Sequence, residues 1–460
     1  MTSLLRKLRR RFGDGEGEAA APPPDSPAAA SPPEPSATPA RPPDTASPAA
    51  ESHEEVLARL RRRIAALDKR WKEPADSPPE TRRAAALEQL PGRLVEIGKR
   101  RLRIINETLS RGSGHGRTPV GDFADPERLA PLASLYRVRT PPHPERLVFL
   151  DTETTGLAGG AGTLPFLVGL AWLDGGDLHV EQLFLDHPRD EPAMIAHLRE
   201  RLASFDHAVT YNGRAFDVPL LQNRFVLHRT PWPDLETSLD LLPGARRLHR
   251  RHLDDRSLSS IERNVLGFFR EDDVPGSEIP GIYHRFLLTG RPDGLAEVVR
   301  HNAWDVVAMA ALLGLQARLL AVPAPEHGLD PGVDLALGEL RYARGDLHAA
   351  VVHLERAVRR AEPTGARPSP DGTWAESLVW LARAYRRLGR PDDSAACWKR
   401  ILALVPDHGR AHLGLAKHHE HRTRDFPAAE RHARAASALG AEGQGEAERR
   451  VERLRGKGTS

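Results

Sequence analysis

Four carboxylates in the 460-residue chain stand where side chains of one kind can converge. Asp151 and Glu153 lie two apart at the end of the apolar run Arg146-Leu147-Val148-Phe149-Leu150, so a strand there directs both to one face. Asp217 follows Asn212-Gly213-Arg214-Ala215-Phe216, where a strand ends and a helix starts; Pro219 suits a first helical turn. Asp305 lies on a helix with His301 four residues earlier, one turn away on the same face. Carboxylates gathered at one point repel one another unless a cation neutralises them. Hard oxygen donors, with one cysteine in the chain, select Mg2+ or Mn2+. Two such ions about 4 Å apart serve in-line attack on a phosphodiester, and a neighbouring imidazole can accept the proton of the attacking water.

The elements that must hold these groups read as an α/β domain with a mixed central sheet over residues 145–322. Leu164 to Leu173 and Leu178 to Leu185 are strand-like and flank the turn Asp174-Gly175-Gly176-Asp177. A helix is expected next at about 191–204, with Ile195, Leu198 and Leu202 inside. His207 to Tyr211 is a further strand, ended by Asn212-Gly213. Ahead of this domain, residues 53–144 form a preface. They hold an amphipathic helix over 54–71 and two short strands, Leu94 to Gly98 and Leu102 to Ile105, around a Gly-Lys-Arg-Arg turn.

Composition bounds the rest. Residues 19–50 hold eleven Pro and eleven Ala, and Gly13 to Glu55 contains no Val, Ile, Leu, Met, Phe, Trp, Tyr or Cys. Such a stretch has nothing to bury, so 1–52 reads as a basic start and a disordered Ala/Pro linker. The single Cys397 excludes a disulfide framework and a CxxC centre, and fits a reducing cytoplasm. No run of 18 apolar residues is present, from which no membrane span is expected. The net charge is +3, from 66 Lys and Arg against 63 Asp and Glu, so any contact with a polyanion must be local.

Beyond Pro323 the chain turns helical and repetitive. With Gly338, Ala382 and Ala416 in register, Leu337, Leu381 and Leu415 fall one residue before them. Gly345, Gly389 and Thr423 fall seven after, and Ala350, Ser394 and Ala428 twelve after. The second and third units are 34 residues apart, and an insertion at Glu362 to Gly372 lengthens the first. That period and pattern resemble tetratricopeptide repeats over 330–455; a plain helical bundle is the alternative.

Taken together, LVFLDTETTGL, the Asn-x-x-x-Phe-Asp-x-x-x-Leu segment and the His-x-x-x-Asp helix resemble the three exonuclease motifs of the DEDD superfamily, whose fold is ribonuclease H-like. The glycine-rich DTETTGLAGGAGTLPFLVG, Leu239 to Leu242 and Asp273-Val274-Pro275-Gly276-Ser277-Glu278-Ile279-Pro280 resemble its YprB-type branch. Members of that branch are predicted nucleases, some with tetratricopeptide repeats. The resemblance implies Asp151, Glu153, Asp217 and Asp305 as ligands of two Mg2+ or Mn2+ ions and His301 as general base. One departure stands out: the histidine type places its base five residues before the last Asp, where this chain has Arg300, and His301 takes the offset of the tyrosine type.

Substrate contacts are less sharply defined. Thr154, Thr155 and Gly156 come directly after the carboxylate pair, where relatives face the terminal nucleotide with backbone. Leu157 or Phe216 would wedge against a base, and Asn212 belongs to the second motif. The loop 246–252, with Arg247 and Arg250, would hold phosphates in a salt-dependent way or remain a solvated charged loop. The expected activity is 3′ to 5′ exonucleolytic hydrolysis of DNA or RNA from a single-stranded end, with the repeats binding a protein partner. The alternatives are a structure-specific endonuclease of the same fold and a non-catalytic nucleic-acid adaptor.

Overall fold

A computed structural model describes residues 78–156, 162–321, 329–365 and 367–458. The expected helix at 54–71, the basic start, the Ala/Pro linker and Leu157 lie outside the described residues. A seven-stranded mixed sheet forms the centre. Its strands are β1 (Arg93–Ile97), β2 (Arg100–Leu109), β5 (Leu147–Thr154), β6 (Pro165–Asp174), β7 (Asp177–Phe184), β8 (His207–Thr210) and β9 (Glu236–Asp240), in the order β1-β2-β7-β6-β5-β8-β9. The segments β3 (Gly114–His115) and β4 (Thr118–Pro119) pair separately. Strands β5, β8 and β9 run parallel, and the other pairs in the large sheet are antiparallel.

The apolar run on β5 is continuous because both faces of the sheet are covered. Leu147 and Phe149 point with Ala171, Leu173, Leu178 and Val180 into one buried cluster, under helices α2 (Pro126–Tyr136), α5 (Leu241–His249) and α8 (Leu295–Leu320). Val148 and Leu150 point the other way, with Phe166, Val168 and Leu183. There they meet α3 (Glu191–Leu202), α4 (Asp217–Leu227) and α7 (Ile279–Thr289). Helix α1 (Pro79–Gln89) packs beside α7, and α6 (Leu258–Ile261) leads into one π-helical turn, Glu262–Leu266. The β6–β7 turn is a two-residue hairpin with Gly175 at φ 59° and Gly176 at φ 95°, the left-handed pair that favours glycine.

One expectation needs correction. The preface is not separate from the sheet: β2 pairs with β7 along seven residues, from Arg103–Phe184 to Leu109–Leu178. A boundary at 144/145 therefore cuts one hydrogen-bonded sheet. Helix α8 also bears on the membrane expectation, since by length and composition it is apolar enough to cross a bilayer. In this fold 78% of its apolar window is buried inside the protein, where it covers the sheet.

The C-terminal region consists of helix pairs. These are α9 (Pro331–Ala343) with α10 (Leu347–Arg360), α11 (Thr373–Arg387) with α12 (Pro391–Leu404), and α13 (Gly409–His418) with α14 (Phe426–Ala438), with α15 (Gln444–Gly458) after them. The register positions explain themselves physically. A Cβ on Gly338 would lie 2.6 Å from Leu354, while Ala382 and Ala416 are fully buried where helices cross. Gly345 and Gly389 close their turns at φ 82° and 74°. In the third unit a π-helical turn, His419–Thr423, displaces the left-handed residue by one, to Arg424 at φ 58°. The first repeat helix completes the core beneath the sheet. Val333, Ala336, Leu337 and Leu340 of α9 belong to the same buried cluster as Phe149 and Leu312, so the segments on either side of 322–330 share a core.

Candidate metal centre

Strand β5 brings Asp151 and Glu153 to the face it shares with Phe149, as the alternation requires. Asp151 Oδ2 accepts a hydrogen bond from Asn302 Nδ2 at 2.8 Å. The Asn302 Oδ1 accepts in turn from Gln182 Nε2 at 2.9 Å, and the same nitrogen donates to the Val299 carbonyl at 2.7 Å. Asn302 and Gln182 are both buried. Gly169, opposite Asp151 on β6, leaves room for the Asn302 amide, since a Cβ would lie 2.3 Å from Asn302 Oδ1.

Asp217 reaches the same strand from the start of α4. Thr152 Oγ1 donates to its Oδ1 at 2.5 Å. Gly213 clears the approach, because a Cβ there would lie 2.8 Å from Asp217 Oδ2. The preceding loop turns at Asn212, with φ 66°. Asp240 Oδ1 holds it by accepting from Asn212 N at 2.7 Å and Leu242 N at 3.0 Å. One carboxylate thus ties the second motif to the N-terminus of α5, where it also caps the helix.

Asp305 and His301 come from α8. His301 Nε2 lies 3.9 Å from Glu153 Oε1 and 3.6 Å from Asp305 Oδ2, while its Nδ1 sits 2.7 Å from Asp273 Oδ1. His301 therefore points into the cluster despite its offset of four. Arg300, at minus five, points away: it donates to the Asp272 carbonyl at 3.1 Å and lies over the Trp304 ring. Arg270 donates to Asp305 Oδ1 through Nη2 and to Glu262 Oε2 through Nε at 2.5 Å.

Burial, joined by repulsion from Asp305 and Asp217, pushes the Asp151 carboxyl well above its ordinary value. Glu153 is raised well above by burial and by the Asp151, Asp305 and Asp217 charges. Burial also raises Asp217, against the Thr152 hydrogen bond. For His301 burial pulls downward, yet the Asp273 hydrogen bond and the Asp305 charge outweigh it and the imidazole is raised. Half-buried acids raised by desolvation and by one another's charge call for a cation. Glu153, His301 and Asp305 each offer a ligand atom, all within 4.8 Å of one another. The hard carboxylate oxygens fit a divalent cation of the Mg2+ or Mn2+ type, with the imidazole standing beside them.

The other expected contacts divide. Thr154 Oγ1 donates to the Gly156 carbonyl at 2.8 Å, and Thr155 Oγ1 accepts from Leu164 N at 3.0 Å, so both hydroxyls close the loop after β5. Phe216 is 61% exposed directly before Asp217. The loop 246–252 is not a free phosphate cradle. Residues 246–249 form the last turn of α5, and Arg250 and Arg251 just beyond it pair with Glu339 of the first repeat helix at 3.0 and 2.6 Å. Arg247 is exposed beside that contact. Sequence reasoning missed Asn302, Gln182 and Gly169, although Asn302 adjoins His301 in the motif. It gave Asp273 no role, and Arg270 carried no signal at all.

Residues 148–316 match the RNase_H superfamily model, and residues 381–447 match a tetratricopeptide repeat model. The chain carries a ribonuclease H superfamily domain with tetratricopeptide repeats C-terminal to it. Among curated proteins it is similar to the "Uncharacterized protein YprB" of Bacillus subtilis (strain 168), 31% identical over 288 residues. That match covers 61% of this chain and 66% of the relative, just under two thirds of its length. Among solved structures, the APC/C hetero-tetramer Cut9-Hcn1 is 17% identical over 58% of this chain and 49% of that chain. Its TM-score of 0.26 is too low to define a shared fold.

Proposed function

We propose that the protein is a metal-dependent nuclease that hydrolyses phosphodiester bonds of DNA or RNA, 3′ to 5′ from a single-stranded end. The observation that carries this reading is the gathering of Glu153, His301 and Asp305, whose polar atoms lie within 4.8 Å of one another, beside the half-buried Asp151 and Asp217. The four carboxylates would hold two Mg2+ or Mn2+ ions. Such ions would make an attacking water more acidic and would offset charge on the leaving oxygen.

The chain's own groups do the rest. His301 presents Nε2 to the carboxylates and takes the proton of the attacking water there. Asp273, against Nδ1, holds the ring's orientation and stabilises the imidazolium that forms. Asn302 fixes one oxygen of Asp151, and Thr152 fixes one of Asp217. The exposed Phe216 gives an unpaired base a ring to stack on. A protein partner is assigned to the repeats, whose helix pairs form stacked surfaces. The single, buried Cys397 accords with a reducing, cytoplasmic setting.

The test is cleavage of labelled single-stranded and duplex DNA and RNA by the full chain with Mn2+, resolved at nucleotide length. A ladder shortening from the 3′ end, absent in Asp151→Ala,Asp305→Ala, supports the reading. Cutting of a circular substrate would make the enzyme an endonuclease. Equal cleavage by the double variant would refute the centre.

A further inference from the structure

Several arginines where α5 meets the repeats pair with acids: Arg250 and Arg251 share Glu339, and Arg341 faces Asp346 at 3.5 Å. Four others differ. Among the described residues no acid pairs with Arg247, Arg344, Arg383 or Arg387. Arg247, Arg344 and Arg387 are exposed and Arg383 is half-buried.

Two aromatic rings gather these arginines onto one face. Arg383 lies over the Trp380 ring, 4.7 Å from its centre, and Arg387 lies over the Tyr342 ring at 4.9 Å. The rings themselves meet edge to face, with centres 5.2 Å apart, and so join α11 to α9. Arg387 Nη1 also donates to the Tyr342 carbonyl at 3.3 Å. On α11 the spacing of Trp380, Arg383 and Arg387, three and then four residues apart, puts all three on one side of the helix. Arg344 follows Tyr342 by two residues and donates to the Pro131 carbonyl at 3.2 Å. Burial and the charges of Arg341 and Arg247 hold its guanidinium below the ordinary arginine value, so positive charge is concentrated here.

The face continues toward the metal centre. Arg247 stands on the last turn of α5, and Asp240 at the other end of that helix holds the Asn212 loop leading to Asp217. Nine residues of helix span about 13 Å. Guanidinium groups offer donors to phosphates and planes on which bases stack. An acidic peptide would match the charge alone. The rings beside the guanidinium groups and the continuity with α5 favour a strand that carries bases as well.

We propose that the face formed by Arg247, Arg344, Arg383 and Arg387 with Tyr342 and Trp380 binds single-stranded DNA or RNA beyond the nucleotides held at the metal centre. The first two helix pairs of the repeats are then part of the substrate track. The inference rests on the nuclease reading above for the identity of its ligand.

The experiment is fluorescence anisotropy of the full chain in EDTA, so that nothing is cleaved. The probes are labelled oligothymidylates and oligouridylates of about 4 and about 20 nucleotides, each titrated over a range of KCl. Arg383→Gln,Arg387→Gln is expected to bind the longer probes about 10-fold more weakly than wild type, with a smaller loss on the shorter ones. Its salt slope on the longer probes should fall by about 1.4, two contacts at about 0.7 each on a single strand. Arg434→Gln,Arg455→Gln removes the same charge from the last repeat, where both arginines pair with Glu430, and is expected to bind as wild type does. An equal loss in that control, or no loss in the folded Arg383→Gln,Arg387→Gln protein, would overturn the proposal. Tighter binding of an oligoglutamate peptide, abolished by the same double variant, would also overturn it and make the face a site for an acidic protein segment. Cleavage with Mn2+ is read on the same preparations. A wild type that binds the longer probes through this face yet cleaves nothing would overturn the nuclease reading and still support the proposal.

Discussion

The acids buried in the repeats and the half-buried acids of the candidate metal centre are treated in opposite ways. In the repeats, Asp334 is fully buried and faces Arg356 at 2.6 Å, His353 at 3.1 Å and Arg360 at 3.6 Å. Glu420 is nearly as buried and faces Arg453 at 2.9 Å, Lys457 at 3.1 Å and Arg450 at 3.5 Å. Burial raises the Glu420 carboxyl, but its Arg453 and Lys457 hydrogen bonds win and bring it down to about 2. In the sheet domain, Asp151 and Asp217 hydrogen-bond to neutral side chains and are pushed up, mostly by burial. A buried acid surrounded by cations is a finished structural element, whereas one surrounded by other acids is a site awaiting a ligand.

That contrast can be broken by substitution. Asp151→Asn should lower cleavage by about three orders of magnitude while raising the melting temperature of the metal-free protein, because it removes one of the repelling charges. A rate assay and a thermal melt on the same preparation check both halves. Asp334→Ala should do the reverse: cleavage per folded molecule persists, and urea unfolding shows a loss of about 3–5 kcal/mol, since Arg356 and His353 are left buried without their acid. If Asp151→Asn proves as destabilising as Asp334→Ala, the contrast fails.

Smaller effects sharpen it. Asn302→Ala frees one oxygen of Asp151 and should cost about 10- to 100-fold in metal affinity or rate, with Gly169→Ala acting in the same direction by displacing Asn302. Titration with Mn2+ reads both. The pH dependences should have opposite signs. Glu420 has a folded value below its ordinary one, so its stabilisation is present above about pH 4.5 and is lost as pH falls toward 2. Asp151 and Glu153 have folded values above their ordinary ones, so they hold protons that the unfolded chain releases, and the metal-free protein loses stability as pH rises past the carboxylate range. Melts from pH 3 to 8 should therefore show Glu420→Gln flattening the acid side and Asp151→Asn flattening the neutral side, with Mg2+ restoring wild type on the neutral side alone.

Local chemistry made much of this legible. The strand ending in Asp151 and Glu153, the helix with His301 and Asp305, the glycine hairpin at 175–176 and the small residues at the repeat crossings all arise from side-chain period or backbone freedom over a few residues. Contacts across long stretches of chain escaped. The 93–109 strands join a sheet whose partner strand begins at Asp177, and α9 enters the core of a domain that precedes it. Arg250 and Arg251 read as a phosphate loop because Glu339, which pairs with both, stands 88–89 residues away.

The sequence alone determined which groups are present, on which face of each element they stand, and hence the class of chemistry available to them. Only the tertiary structure decided their partners. Asn302 on Asp151, Asp273 on His301 and Arg270 on Asp305 are separated from the groups they hold by 151, 28 and 35 residues. Charge and hydrogen bonding act over a few ångströms of space, and distance along the chain says nothing about that separation once the chain has folded.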